Sequence, residues 1–574
     1  MIRILMVAAL LSASGLCAQP IIQGDPAEPC GPIRPDYWVG RKTNPFPRGE
    51  GAGVRSETKA TLSPKATLTD SYTFYSNVRV NDDPPGMGFA TPYSSGGHAM
   101  AARGDTVYLV WRDDRSGTST IYFDKSNDGG NTWGTDVAIS DNPAAAAVMP
   151  ALAVGKDGAI YVSWTDFRDG NRHIYFAKSA NGGASFGTNV RVCNEHEEYQ
   201  AFSSIAVNDS GRIFIAWEDG RNSATQKLDV YCARSDDGGA SFLSSIRVDD
   251  TGTDSSGQGG GGIAVKDSCV YIVFADYRDE NYSYMNVYFA KSTNNGQTYN
   301  NNILVNDTVG QINRSQWAPS IAVDDSDLIY IAWRDNRVGI YHTYYTKSND
   351  GGLSFTTPNL NLIDAAGQPY AQVYPSLCCD DSGGVYCAWE DTRNYINSAR
   401  QIYMGFSKNY GDSFSMNYHV DDRPEEDSAW LFDPTLCVNK AGRVFCAWAD
   451  NRVNGAGLTM DIYATTGSYV GVEGYPPNKN PLIDKVKIHT YPNPFSSSIM
   501  IKYELPARTN VNLSIYNING QLVKNIYSGH QNPGLYSAKW NCRDVNGNGV
   551  SKGIYLVCFN LNNKKTIQKI TYIK

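Results

Sequence analysis

The pattern Trp-x-Asp-x-Arg returns along this chain at a nearly fixed interval. It reads WRDDR from Trp111, WTDFR from Trp164, WEDGR from Trp217, FADYR from Phe274, WRDNR from Trp333, WEDTR from Trp389 and WADNR from Trp448. The differences between those positions are 53, 53, 57, 59, 56 and 59 residues. A repeat of this length is one supersecondary unit, which buries its apolar face only by stacking on its neighbours. Each unit parses as four short runs, for example PSIAVDDSD, LIYIAWRDNR and YHTYYTKS followed by a run such as VRVND or IRVDD. The runs are rich in Val, Ile, Tyr and Trp and are divided by Gly, Asn and Asp, which reads as four strands. Four-stranded units repeated radially leave no long open sheet edge, so the pattern predicts a β-propeller.

A second repeat fixes the count. SNDGGNTW begins at Ser126 and returns as SANGGASF, SDDGGASF, STNNGQTY, SNDGGLSF and SKNYGDSF. The seventh unit has its first three runs, PTLCVNK, VFCAWADNR and DIYATTG, but lacks this turn and a fourth run. The missing run stands at the front of the chain: YSNVRVNDD, Tyr75–Asp83, matches the fourth-strand pattern. The expected fold is therefore all-β, a seven-bladed β-propeller over residues 72–470. Its last blade is closed by the N-terminal strand pairing near Asp461–Thr465.

The eight-residue turn resembles the Asp-box, S-x-D-x-G-x-T-W, of sialidases and other propellers, where it joins the third and fourth strands of a blade. Its Ser and Asp side chains are suited to hold nearby backbone N–H groups, and Gly supplies angles other residues avoid. The third position alternates: Asp128, Asn181, Asp237, Asn294, Asp350 and Asn409. Asp and Asn share a turn role but not a catalytic one, so the turn reads as structural.

Trp-x-Asp-x-Arg admits two roles. Period two puts its Trp, Asp and Arg on one side of the strand, with Asp and Arg at the strand end opposite the eight-residue turns. The candidate binding residues are Asp113, Arg115, Asp166, Arg168, Asp219, Arg221, Asp276, Arg278, Asp335, Arg337, Asp391, Arg393, Asp450 and Arg452. Together they would form a ring for an anionic ligand, because Arg takes carboxylates in bidentate fashion. Equally, one Asp–Arg pair per unit suits a device that locks each blade to its neighbour.

The Asp-box resemblance raises an enzyme alternative, an exo-sialidase-type glycoside hydrolase. That family uses three Arg, a Tyr–Glu pair and an acid/base Asp. Its R-I-P motif is missing here, where PIRP at Pro32–Pro35 has the wrong order, and its propeller has six blades. Other acid/base or metal candidates lie in unit-connecting loops: Glu195, His196, Glu197, Glu198 and Tyr199 in CNEHEEYQ, and Glu425, Glu426 and Asp427 in DDRPEEDSAW. TGTDSSGQGGGG, around Gly259, reads as a flexible loop without the Lys of a phosphate loop. No cofactor and no metal is expected. DVNGNG, from Asp544, lacks the distal Glu of a calcium loop and reads as a turn.

The net charge of -8 offers no basic surface for nucleic acid. MIRILMVAALLSASGLCAQP reads as a secretory signal over residues 1–18, followed by a leader over 19–71. Cys17 follows Leu16, where a lipobox wants a small residue. No later segment is apolar enough to span a membrane as a helix. Export permits disulfides. Cys378 with Cys387 and Cys437 with Cys446 each bracket a turn, either as cross-strand bridges or as buried thiols.

After a linker at 471–484, the runs IMIKYEL, VNLSIYNI, YSAKW and IYLVCF alternate as in a small antiparallel sandwich over 485–574. This stretch resembles the Ig-like C-terminal sorting domain of type IX secretion cargo. The resemblance is carried by Pro492, Asn493, Pro494, Phe495, IYNINGQLV, Gly534, Trp540, Gly553–Tyr555 and the basic tail. It implies the type IX machinery as a partner and the medium or outer surface of a Gram-negative bacterium as the destination. The expected function is a secreted, non-catalytic binding module for glycans or proteins.

Overall fold

The computed structural model describes residues 71–470 and 488–573, apart from 95, 97, 223–227, 252–256, 279–283, 308–314, 365–369, 394–399, 425–429, 453–458, 506–508, 532–533 and 562–563. The expected signal peptide, the leader up to residue 70, the linker and the acidic run at Glu425, Glu426 and Asp427 lie outside the described residues.

All regular structure among the described residues is β. Seven sheets of four or five strands follow one another. We number them by their first strands: Met100–Arg103 (with Ala90–Thr91), Ala147–Val154, Gln200–Val207, Gln258–Lys266, Gln316–Val323, Gln372–Cys379 and Leu431–Val438. Sheet 3 is representative, an antiparallel meander of Gln200–Val207, Ile213–Asp219, Asp229–Ser235 and Ile246–Arg247. Its fourth strand is only two residues long, which blunts the exposed edge. Each first strand lies against the first strand of the next sheet, and Leu431–Val438 lies against Met100–Arg103. Repeated four-stranded sheets arranged in this way fit a β-propeller.

Sheet 7 is built from both ends of the repeat region. Val78–Arg79 pairs with Asp461–Val470 in the register Val78↔Ala464 and Arg79↔Tyr463. A further strand, Ser71–Phe74, pairs alongside it from Ser71↔Val470 to Phe74↔Gly467; the repeat gave no sign of this one.

The core lies between neighbouring sheets. Trp164 of sheet 2, for instance, packs with Val110, Ile121 and Phe123 of sheet 1. Trp111, Trp164, Trp217, Trp333, Trp389 and Trp448 are all fully buried, and Phe274 takes the same place in sheet 4. Each first strand of sheets 2 to 7 carries a β-bulge, as between Val148 and Ala151. The bulged residue has a positive φ at Met149, Phe202, Gly260, Ala318, Tyr374 and Asp433. In sheet 1 the bulge expands to residues 92–99, because Thr91 pairs with Arg112 and Met100 with Leu109.

Two sequence readings change here. The glycines around Gly259 are not a flexible loop: Gln258–Lys266 is the first strand of sheet 4. A Cβ on Gly262 would sit 2.7 Å from the Gly96 carbonyl, so a bare backbone is needed where the sheet 1 insertion crosses it. The cysteines are free among the described residues. Cys387 lies opposite Leu377 and Cys437 opposite Phe445, so each bracketing pair is one residue out of register, and period two sends the two thiols to opposite faces.

Beyond the linker, a three-stranded sheet (Ile488–Tyr491, Ile499–Leu505, Gly534–Trp540) and a four-stranded sheet (Leu522–Gln531, Thr509–Asn517, Gly553–Leu561, Lys564–Tyr572) share one core. Ile499, Ile501 and Trp540 meet Leu513, Ile515 and Val557 there. Asp544 Oδ1 accepts the N–H groups of Asn546 and Asn548, which makes DVNGNG a side-chain-capped turn.

Candidate functional site

The repeated Asp and Arg are brought together, but within each sheet and across its seam. In sheet 5, Arg337 sends Nε and Nη2 to Asp335 Oδ2 at 2.9 and 2.6 Å. Its Nη1 reaches Asp307, which follows the fourth strand of sheet 4, at 2.6 Å. Its Nη2 also reaches Asn359, just before its own fourth strand, at 3.2 Å. The guanidinium lies over the Tyr344 ring at 4.0 Å. Asp335 in turn takes the Trp333 indole N–H at 3.1 Å.

The same set recurs around the cycle. Arg168 meets Asp166, Asp141 and Asn189. Arg221 meets Asp219, Glu195 and Ser245. Arg278 meets Asp276, Asp250 and Asn302; Arg393 meets Asp391, Asp364 and Asn417; Arg452 meets Asp450, Asp422 and Asn77. Arg115 meets Asp113, Asp82 and Asp136. The acid on the preceding sheet and the residue before the fourth strand also exchange backbone contacts, as where Asp307 N–H donates to Asn359 and Asn359 N–H to Asp307. With 11 to 18% of each side chain exposed, the seven guanidinium groups have their donors turned to the protein.

The CNEHEEYQ loop is similarly absorbed. Glu195 serves the Arg221 clamp, Glu197 pairs with Arg191, and Glu198 lies 2.8 Å from His196 Nδ1. Cys193, His196 and Asp219 bring potential metal-ligand atoms within 4.8 Å of one another. The Arg221 Nη2 stands 2.8 Å from Asp219 and 3.6 Å from Cys193 Sγ, so a cation already occupies this corner.

The eight-residue turn is a local hydrogen-bonded device. Ser126 Oγ donates to Asp128 Oδ1 and accepts from the Gly130 N–H, while the Thr132 N–H and hydroxyl donate to Asp128. These bonds, led by the Thr132 hydroxyl, hold the Asp128 carboxyl down at about 2. Asn181 makes the matching contacts with Ser179 and Ser185. The closing aromatic plugs onto the preceding sheet, as Phe186 onto Phe123 at 5.2 Å. Gly183, at φ +89, lies where any Cβ would strike the Phe123 ring.

What differs from sheet to sheet is the x between Trp and Asp: Arg112, Thr165, Glu218, Ala275, Arg334, Glu390 and Ala449. Period two points it away from the clamp, toward the bulge of the neighbouring first strand. Thr165 Oγ1 accepts the Phe202 N–H, Glu218 Oε1 the Gly260 N–H at 2.5 Å, and Glu390 Oε1 the Asp433 N–H at 2.9 Å. Burial pushes the Glu218 carboxyl up to about 8, against the Gly260 N–H, which favours the ionised form. Glu390 instead faces Arg400 at 2.5 Å.

Half-buried aromatic rings gather on this side. Arg334 lies over Trp317, Tyr341 and Tyr374 at 4.4 to 4.9 Å. Arg112 lies over Phe89, and Arg172 over Phe167 and Tyr199. The sheet 1 insertion runs through their midst. Tyr93 meets Tyr374 of sheet 6 edge-on at 6.1 Å and packs against the cluster that Val148 and Met149 of sheet 2 form with Ala201 and Phe202 of sheet 3. Pro92, Tyr93, Ser94 and Gly96 line a pocket with Ala318, Tyr374–Ser376 and Asp433–Thr435. Three of the left-handed bulge residues, Ala318, Tyr374 and Asp433, line it. The sequence signal for the site was the change of charge and size at the x between Trp and Asp, one of two variable positions in the motif, together with the extra residues in the first unit.

Residues 489–574 match the family described as a secretion system C-terminal sorting domain. No curated protein matches the chain. Among solved structures, a protein of unknown function from Dyadobacter fermentans is 13% identical, covering 70% of this chain and 99% of that one, at a TM-score of 0.42. An ulvan lyase of polysaccharide lyase family PL25 is 11% identical, covering 69% and 96%, at 0.45. PorZ, a surface component of the type IX secretion system of Porphyromonas gingivalis, is 14% identical, covering 87% and 61%, at 0.38. All three are too distant to carry an activity or a ligand across. The C-terminal region is a type IX secretion sorting domain, which marks the protein for secretion or display at the outer surface. No helix among the described residues is long and apolar enough to cross a membrane.

Proposed function

We propose that this is a seven-bladed β-propeller of Asp-box type, exported by an Ig-like sorting domain, and that it binds glycans without cleaving them. The ligand is taken where the first strands converge, around Tyr93, Trp317, Arg334, Tyr374 and Arg400. The observation that carries this reading is the contrast between repeated and unrepeated residues. The Asp and Arg of the repeat, Asp113 and Arg115 through Asp450 and Arg452, act as seam clamps. The unrepeated residues supply half-buried aromatic rings with guanidinium groups stacked on them. Rigid aromatic faces suit the apolar side of a sugar ring, and a few convergent polar groups fix its orientation.

The test is a glycan array probed with the secreted chain, run beside a fluorogenic sialoside. Expected are selective glycan binding, its loss in Tyr374→Ala and Trp317→Ala, and no sialoside turnover. Hydrolysis of the sialoside, lost in Glu198→Gln, would replace the binding module with the sialidase-type hydrolase.

A further inference from the structure

One of the seven clamps departs from the pattern set by the other six. In sheets 2 to 7 the residue before the fourth strand is neutral: Asn189, Ser245, Asn302, Asn359, Asn417 and Asn77. At the seam between sheets 7 and 1 it is Asp136. There Arg115 meets four carboxylates, Asp113 at 2.6 Å, Asp136 at 2.7 Å, and Asp82 and Asp83 at 3.3 Å each. Arg337, in an ordinary seam, meets Asp335 and Asp307.

In three of the five asparagine seams the amide does more than avoid charge. Asn189, Asn302 and Asn417 each donate Nδ2 to a backbone carbonyl of the preceding sheet, those of Ile139, Val248 and Leu362, at 3.1, 3.1 and 2.9 Å. The equivalent residue in the closing seam is Val80. Asp136 keeps the rest of the arrangement, since its Oδ2 accepts the Asp82 N–H and the Arg115 Nη1, and its own N–H donates to Asp82. Its side chain is 2% exposed. Its other oxygen, Oδ1, is buried with no hydrogen-bond partner. An ionised carboxylate can only accept there, whereas a protonated one donates as the amide does.

We propose that Asp136 is a proton-dependent latch on the closing seam, holding it as the neutral acid and loosening it on ionisation. The charged and titratable groups around it are Arg115, Asp82, Asp83, Asp113 and Tyr122, with Arg79 and Asp461 adjoining through Asp83. Burial, reinforced by hydrogen bonding to the Asp82 carboxylate, pushes Asp136 up to about 7 against the attraction of Arg115. A raised acid binds its proton in the folded state and not in the unfolded one, whose pKa is about 3.9. Stability from this group is thus full below about pH 3.9, falls as pH rises to about 7, and is level above. Asp82 is shifted the other way and titrates below this window. Asp124, raised to about 6, and Glu218, raised to about 8, both by burial, add slopes of the same sign that a substitution at 136 leaves in place.

The test uses three full-length chains, wild type, Asp136→Asn and Asn302→Asp, with melting temperature followed from about pH 5 to pH 8.5. Expected is a wild-type melting temperature that falls across this range. Asp136→Asn should show a shallower fall and melt above wild type at the alkaline end. Asn302→Asp, which copies the arrangement into an ordinary seam, should fall more steeply than wild type. Hydrogen exchange corrected for intrinsic rates should show residues 71–83 better protected at alkaline pH in Asp136→Asn than in wild type. An Asp136→Asn chain as steep as wild type, or an Asn302→Asp chain no steeper, overturns the latch.

Discussion

Replacing Arg337 by Ala separates a clamp from a ligand ring. The side chain is 12% exposed, and the Asp335 carboxylate it serves is fully buried. The change deletes two bonds to Asp335, one to Asp307, one to Asn359 and the stack on Tyr344. Asp335 keeps the Trp333 indole at 3.1 Å, the Gln316 amide at 3.3 Å and the residue 337 N–H at 2.8 Å. Stripping one partner from a buried ion pair costs about 3–5 kcal/mol when the survivor is left bare. Three surviving donors, and the partly solvated Asp307, bring the expectation to roughly 2–4 kcal/mol. Arg337→Lys should recover only part of this, because an ammonium keeps the charge but not the fork. The assay is urea unfolding of the secreted chain by Trp fluorescence, read as a midpoint shift because two domains need not unfold as one. Arg168→Ala and Arg278→Ala should shift it similarly, since their surroundings repeat. An unchanged midpoint in Arg337→Ala with glycan binding abolished refutes the clamp and restores the anionic-ligand ring.

Two further outcomes follow from the ends of the chain. Deleting residues 71–83 strips both N-terminal strands from Asp461–Val470 and removes Asn77 and Asp82 from their clamps, so the product should aggregate; a monomer melting like the parent contradicts the closure. Deleting residues 489–574 should leave the seven sheets folded but retained in the periplasm, which fractionation and immunoblotting would reveal; normal amounts in the medium contradict the sorting role.

The sequence by itself determined most of the strands and their order, missing Ser71–Phe74 and the start of Gln258–Lys266. Its period recovers each Trp-x-Asp strand, its turns give the connections, and the orphan run at Tyr75–Asp83 anticipates the pairing of Val78 with Ala464. These follow from local rules that every copy obeys: alternation, turn chemistry and a fully buried aromatic. IMIKYEL likewise coincides with the strand Ile499–Leu505. Tertiary structure alone decided what the side chains at the strand ends do. Arg337 and Asp307 are 30 residues apart, in different repeats, and only the stacking of sheet 5 on sheet 4 makes them partners. The glycine run at Gly259 looked like a loop because the atoms that crowd it, on Glu218, Val273 and Gly96, belong to other strands and another sheet. The cysteine pairs failed on register, which spacing cannot reveal. The variable position between Trp and Asp gained meaning only when the packing of neighbouring sheets turned Arg112, Glu218, Arg334 and Glu390, on the second strands, to the side where Tyr93 crosses. A repeat records what each unit needs to be built, whereas a site is made from the residues in which units differ, and those meet only in the folded chain.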